Sequence, residues 1–155
     1  MVPLMKGFDA VYFTAGSRGG SLIQIDIYGA IKTIQAAKEA GIDRYIMLSS
    51  IFSLQPEHWH DKTLSDIQDY NVAKFVADSW LVNDSGLNYT IIQPTALIPG
   101  PGTGKVALNV NETGSNQLVD VAEVLFRSLE NEHTYKKVIT MHSGEQKIEN
   151  ALNSL

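Results

Sequence analysis

The chain has 155 residues, 44% of them hydrophobic and 19% charged, with a net charge of −5 and no cysteine. That length and balance suit one domain, expected over residues 1–155, with a sizeable core, and the missing cysteines exclude disulfides and thiol chemistry. A negative charge without any basic run excludes nucleic acid and anionic membrane surfaces as charge-driven partners, and no apolar run approaches the roughly 18 residues of a membrane span.

The N-terminal MVPLMKGFDAVYF lacks the pattern of a secretory signal, so the cytoplasm is the expected compartment. Residues 8–14 (FDAVYFT) are short, rich in β-branched and aromatic side chains, and end at glycine, which predicts a buried strand. Ile23, Ile27, Ala30, Ile31, Ile34 and Ala37 then recur at three- and four-residue steps, a helix stopped by Gly41. Residues 45–48 (YIML) predict a second buried strand, ending at Ser49-Ser50. Residues 51–66 are polar and irregular and hold Pro56; a loop that long is usually functional or disordered.

A second helix follows, with Val72, Phe75, Val76, Ser79 and Trp80 read as its inner face and Gly86 beyond its end. Residues 89–92 (YTII) predict a third strand closed by Pro94, and the proline- and glycine-rich 96–104 predicts loop. Residues 106–110 alternate like a short strand. Leu118, Val121, Ala122, Leu125, Phe126 and Leu129 predict a third helix, capped near Ser115 or Asn116. A strand over 137–141 and a helix over 147–155 complete the chain. Apolar strands alternating with amphipathic helices predict an α/β fold: a parallel sheet with helices on both faces.

In such a sheet, ligands bind beyond the carboxyl ends of the strands. The stretch FTAGSRGG stands there, but its glycines, Gly16, Gly19 and Gly20, miss the G-x-G-x-x-G spacing of a dinucleotide loop. The next strand ends in serines where the fingerprint needs an acidic residue for the ribose. A tight strand-to-helix turn, or a later strand end that touches the adenosine side, explains the stretch better than a phosphate cradle. GPGTGK imitates a Walker loop and fails it: Pro99 replaces the first glycine and Val106 the magnesium-binding hydroxyl. His58, His60 and Asp61 do not make a three-ligand zinc set, so no metal is expected, and Trp59 pinned on a polar loop explains the cluster.

The sharpest signal is Tyr70-Asn71-Val72-Ala73-Lys74. Four residues apart on a helix, Tyr70 and Lys74 share a face. An ammonium beside a phenol favours the phenolate and lowers its pKa from about 10, which suits proton exchange with a substrate hydroxyl or carbonyl. Ser50, at the preceding strand end, adds a hydrogen bond. The alternative is an ordinary solvated helix face.

With these pieces in order, the chain resembles the short-chain dehydrogenase/reductase superfamily. It looks most like its atypical branch of NAD(P)-binding, epimerase/dehydratase-like and NmrA-like proteins. The matching stretches are FDAVYFTAGS, IDIYGAIKTIQAAKEAGIDRYIMLSS, YNVAK, GLNYTIIQPTAL and LVDVAEVL. The resemblance implies a Rossmann-like fold and NAD or NADP as cofactor. It makes Tyr70 the acid/base, Ser50 the substrate-orienting hydroxyl, and Lys74 the residue that holds the nicotinamide ribose. It places Thr14, Ala15 and Gly16 on the cofactor wall with Ser49, sets Gln93, Pro94 and Thr95 beside the nicotinamide, and leaves the 51–66 and 96–104 loops to shape a small-molecule substrate pocket.

It also aligns FTAGS with the family's fourth strand, so the domain is expected to be incomplete at the N-terminus, without the glycine-rich turn. Weak dinucleotide binding by this chain, inactivity of the chain by itself, and a homo-oligomer through the exposed edge of its first strand follow as expectations. The expected function is an NAD(P)-dependent oxidoreductase or epimerase-like protein acting on a small carbonyl or alcohol; the alternative is a non-catalytic, NmrA-like NAD(P)-sensing regulator.

Overall fold

A computed structural model describes all residues 1–155. A short helix α1 (Val2–Met5) leads into strand β1 (Ala10–Phe13). The next helix opens as a π-turn over Leu22–Ile27 and continues as α2 (Tyr28–Ala40), closed by Gly41 in the left-handed region at φ 80. Strand β2 (Arg44–Leu48), a short helix α3 (Lys62–Ser65), the long helix α4 (Gln68–Asp84) and strand β3 (Asn88–Pro94) follow. Then come β4 (Ala96–Ile98), β5 (Lys105–Leu108), β6 (Ser115–Gln117), α5 (Leu118–Arg127), β7 (Lys137–Ser143), β8 (Gln146–Lys147) and α6 (Ile148–Asn153).

The main sheet runs β1-β2-β3-β7-β5-β8, and β4 pairs with β6 in a separate two-stranded sheet. The first four strands of the main sheet are parallel. β5 and β8 join antiparallel, so the sheet is mixed and not purely parallel as expected. Strand β1 lies at the edge, with Tyr12 partly exposed and Phe8 largely so.

Strand alternation sorts the apolar side chains onto two faces. Tyr45, Met47 and Ile91 point to the face covered by α2 and α4, packing with Ile34, Ala37, Ala77 and Leu81. Ile46, Ile92 and Ile139 point to the other face, under Val121, Val124 and Leu125 of α5 and Ala151 and Leu152 of α6. A sheet covered on both faces is what continuous apolar strands require.

Several elements depart from expectation. The 96–104 stretch contains β4, and Ser115 and Asn116 belong to β6, leaving Gln117 as the N-cap of α5. The 51–66 segment is ordered around its own small core of Ile51, Phe52 and Leu64. Its Trp59 is pinned by an indole hydrogen bond to the Phe52 carbonyl at 3.0 Å, and His58 stacks on Phe52 at 4.2 Å. No group of three histidine or acidic side chains stands close enough to hold a metal ion. No helix is long and apolar enough to cross a membrane.

The inner face of α4 is the largest correction. Val72, Phe75 and Trp80 are partly exposed, while Asn71, Ala73, Lys74, Ala77, Asp78 and Leu81 are buried. The helix therefore carries a polar stripe inward, toward the carboxyl ends of β2 and β3.

Candidate functional site

A cavity of about 360 Å³ opens beyond those strand ends. Ser49 and Ser50 after β2, Pro94 and Thr95 at the end of β3, and Tyr70 from the first turns of α4 form its inner wall. Ile51, Thr63, Leu64, Ile67, Ala96 and Leu97 close its sides, so the 51–66 and 96–104 segments both contribute to its lining. Thr113 and Gly114 complete the rim. Asn71 fixes the approach of the 51–66 segment: its amide donates to the Leu64 carbonyl at 2.8 Å.

Tyr70 and Ser50 thus meet at one cavity, as their strand-end and helix-start positions predict. Lys74 does not line it. The ammonium is buried behind the tyrosine, 5.5 Å from the centre of the phenol ring and 3.6 Å from the carboxylate of Asp26. The expected lowering of the Tyr70 pKa is reversed. Burial first, then the charges of Asp26 and Asp78, push it up to about 12, while the Ser50 hydroxyl works against the rise. The ammonium that was to favour the phenolate faces a buried carboxylate instead, so Tyr70 is held as a neutral phenol.

Asp26 is the residue that periodicity hid. An α-helical register built on Ile23 and Ile27 leaves Asp26 no special place; the π-turn widens the helix and turns Asp26 fully inward, with Ile23 mostly exposed. Such turns recur at functional sites. Asp78 was missed as well, although Tyr70, Lys74 and Asp78 form a four-residue stripe that a search for polar periodicity would have found. Asp78 accepts hydrogen bonds from Ser53 and, at 3.1 Å, from the amide of Gln93. Burial is the main cause that raises its pKa to about 6, against the hydrogen bonds and the nearby Lys74. Ser49 stands beside Asp78, yet its hydroxyl and Asp78 Oδ1 form no hydrogen bond of acceptable geometry.

The remaining expected cofactor residues divide. Gln93 is fully buried, donating to Ser53 Oγ at 2.6 Å and to Asp78, and its side chain does not reach the cavity. Thr14, Ala15 and Gly16 are exposed at the end of β1, outside the cavity but at the same end of the sheet. Ser17 Oγ, Asp26 Oδ1 and Ser49 Oγ are buried there without hydrogen-bond partners. Unfilled donors and acceptors of this kind fit the hydroxyls of a nicotinamide ribose.

They do not fit a diphosphate. The amide of Ser17 donates to Asp26 at 3.1 Å, and that of Gly20 to the Ser17 carbonyl at 3.0 Å. The Walker-like loop is closed the same way: the amides of Thr103 and Gly104 donate to Asp120 at 3.0 and 2.8 Å. Each glycine-rich loop already holds a carboxylate of this chain where a phosphate loop would present free N–H groups.

The family described as NAD(P)H-binding matches residues 1–132. The chain is 38% identical to the protein named "uncharacterized sugar epimerase YhfK" of Bacillus subtilis, over 97% of this chain and 70% of that protein. Among solved structures, the oxidoreductase ylbE of Lactococcus lactis superposes with a TM-score of 0.98 at 42% identity, covering 100% of this chain and 71% of the other. A putative NAD-dependent epimerase/dehydratase from Bacillus halodurans follows with a TM-score of 0.87 and 33% identity, over 99% of this chain and 73% of the other. The chain belongs to the NAD(P)H-binding family of Rossmann-like proteins.

Proposed function

We propose that the protein is an NAD(P)-dependent oxidoreductase that reduces a small carbonyl compound, with Tyr70 as proton donor and Ser50 as the hydroxyl that orients the substrate oxygen. The observation that carries this reading is the meeting of Tyr70 and Ser50 on one cavity wall at the carboxyl ends of the strands, with Tyr70 held as a phenol. A neutral phenol is suited to donating a proton to oxygen as negative charge develops on it. Thr14, Ala15, Gly16, Ser49 and Lys74 are the residues that would hold the nicotinamide ribose and its neighbour, with Pro94 and Thr95 beside the ring. Bound there, the cofactor supplies a hydride to the carbonyl carbon. Ser50 and Tyr70 hydrogen-bond the carbonyl oxygen; the Tyr70 proton passes to that oxygen, giving the alcohol. The phenolate left on Tyr70 keeps the Ser50 hydroxyl as its hydrogen-bond donor until it is reprotonated.

The burial of Lys74 against Asp26 favours a second reading, a non-catalytic NAD(P)-sensing protein, because the ion pair removes the activating charge that a fast acid/base tyrosine uses. Nicotinamide oxidation followed with a panel of ketones and aldehydes separates the two. Turnover that disappears in Tyr70→Phe while calorimetric cofactor binding persists supports the enzyme; cofactor binding with no turnover on any carbonyl supports the sensor. Binding of NAD(P)H to this 155-residue chain is expected to be weaker than micromolar, since each glycine loop turns amides onto a carboxylate of this chain, Ser17 onto Asp26 and Thr103 and Gly104 onto Asp120.

A further inference from the structure

Resting on the oxidoreductase reading of the same site, we infer that the cavity takes an uncharged ketone or aldehyde with an apolar body, and rejects phosphorylated, nucleotide-linked and carboxylated carbonyl compounds.

The wall carries the inference. None of the residues that line the cavity is Lys, Arg, His, Asp or Glu. Its polar groups are hydroxyls, those of Ser49, Ser50, Thr63, Tyr70, Thr95 and Thr113, and most of the exposed wall is apolar. Hydroxyls can orient a carbonyl or alcohol oxygen, but they cannot neutralise a phosphate or carboxylate. Charge brought into such a space without a counter-charge is disfavoured.

Lys74 and His142, the basic side chains packed behind the wall, are already committed. Lys74 is only 5% exposed and is paired with Asp26. His142 packs behind Gly114; its Nδ1 is 2.7 Å from the Ser143 carbonyl and its Nε2 is 3.7 Å from Glu112. The charges that do act on the wall are negative. Asp26 and Asp78, both fully buried, disfavour the Tyr70 phenolate and would disfavour any other anion set against that hydroxyl. A pocket near 360 Å³ is at the lower end of the range for small-ligand sites, which suits a small substrate better than a nucleotide-linked sugar.

The test compares four probes of one skeleton on the 155-residue chain by NMR titration: acetophenone, para-acetylbenzoate, the methyl ester of para-acetylbenzoate, and para-acetylphenyl phosphate. The two neutral probes are expected to bind more than about tenfold more tightly than the two anions and to move the signals of Thr63, Leu64 and Thr113. The ester matches the carboxylate in size, so its binding isolates charge as the cause. Leu97→Lys, at a partly exposed position on the cavity side, should raise affinity for para-acetylbenzoate about tenfold. Anions that bind as tightly as the neutral probes, no binding by any probe, or an unchanged carboxylate affinity in Leu97→Lys overturns the proposal. Turnover is read separately. Neutral ketones that bind with this preference but are never reduced would sink the oxidoreductase reading and leave the ligand class standing. Charged carbonyls reduced faster than neutral ones would sink the ligand class and leave the oxidoreductase standing.

Discussion

Two buried polar clusters sit at opposite ends of one sheet and are finished differently. At the amino ends of β2 and β3, Arg44 donates to the Leu129 and Asn88 carbonyls at 3.0 Å, to Thr90 Oγ1 at 2.9 Å, to Thr134 Oγ1 and to the Ser128 carbonyl. Its guanidinium also lies over the Tyr135 ring at 4.6 Å. At the carboxyl ends, Lys74, Asp26, Asp78 and Ser49 are just as deep, yet Ser17 Oγ, Ser49 Oγ and Asp78 Oδ1 form no hydrogen bond, and Asp26 Oδ1 has only the Lys74 ammonium, at 3.6 Å. Buried polar groups are ordinarily satisfied; at the amino end only Asn88 Oδ1 lacks a partner, whereas several such atoms gather at the carboxyl end. The arginine cluster ties β2 and β3 to the segment after α5, while the carboxyl-end cluster lies behind the cavity wall that Ser49, Ser50 and Tyr70 form.

Breaking each cluster should therefore cost different things. Tyr70→Phe should lower kcat by about 10²–10⁴-fold, the usual worth of a positioned proton donor, with the urea midpoint nearly unchanged. A comparable loss of stability in place of activity would make the carboxyl-end cluster a second scaffold. Arg44→Leu should do the converse. Stranding several buried acceptors costs about 1–3 kcal/mol for each that water cannot reach, so a loss of roughly 3–5 kcal/mol by equilibrium denaturation is expected. Against a domain stability of about 5–15 kcal/mol that is severe, while the substrate specificity of the folded fraction should persist.

Asp78 sharpens the contrast through pH. Its pKa is raised from 3.8 to about 6 in the fold, so the folded state binds the proton more tightly than the unfolded one. Stability from this group is fully present below about pH 4 and is lost as pH rises through about 6. The shift corresponds to about 3 kcal/mol between the two limits. Asp120 works the other way: burial raises its pKa, but hydrogen bonds from Thr103 and Gly104 outweigh that and hold it below the ordinary value. The difference in urea stability between the wild type and Asp78→Asn, followed from pH 7 to pH 4, isolates the Asp78 term. A flat difference would mean that Asp78 stays ionised throughout.

A smaller effect is expected from Asp26→Asn. Removing that carboxylate relieves one of the two charges that hold the Tyr70 pKa up, so the alkaline limb of a kcat–pH profile should move to lower pH. A limb that stays in place would remove Asp26 from the control of the phenol. The least change is expected from Val72→Thr. Val72 sits in the middle of the Tyr70–Lys74 motif but is 46% exposed, so denaturation should register no more than about 0.5 kcal/mol.

Val72 also shows where sequence patterning stops. For α5 the apolar spacing chose inner residues correctly at Val121 and Leu125, although Leu118 and Phe126 are exposed. For α4 the same logic chose Val72, Phe75, Val76, Ser79 and Trp80, none of them fully buried, and missed the buried face, where Asn71, Lys74 and Asp78 interrupt the small or apolar Ala73, Ala77 and Leu81. Periodicity detects a helix by its apolar stripe. A helix whose buried face mixes polar with apolar side chains violates the premise.

What the amino-acid sequence determined by itself was the alternation of elements and the strand-end chemistry. YIML is apolar throughout and YTII at all but Thr90, which only a sheet covered on both faces can bury, and the strand-to-helix order puts Ser50 and Tyr70 at one end of that sheet. Tertiary structure alone decided the electrostatics. Lys74 meets Asp26 because a π-turn far away in sequence rotates a carboxylate into the core, and Asp78 meets Ser53 and Gln93 because β3 lies beside β2 under α4. A pKa depends on which charges and dipoles surround a group within a few ångströms and on how far water is excluded, and neither quantity is a property of neighbours in the chain. For that reason a motif that predicts an activated phenolate folds into a neutral phenol over a carboxylate-bound lysine.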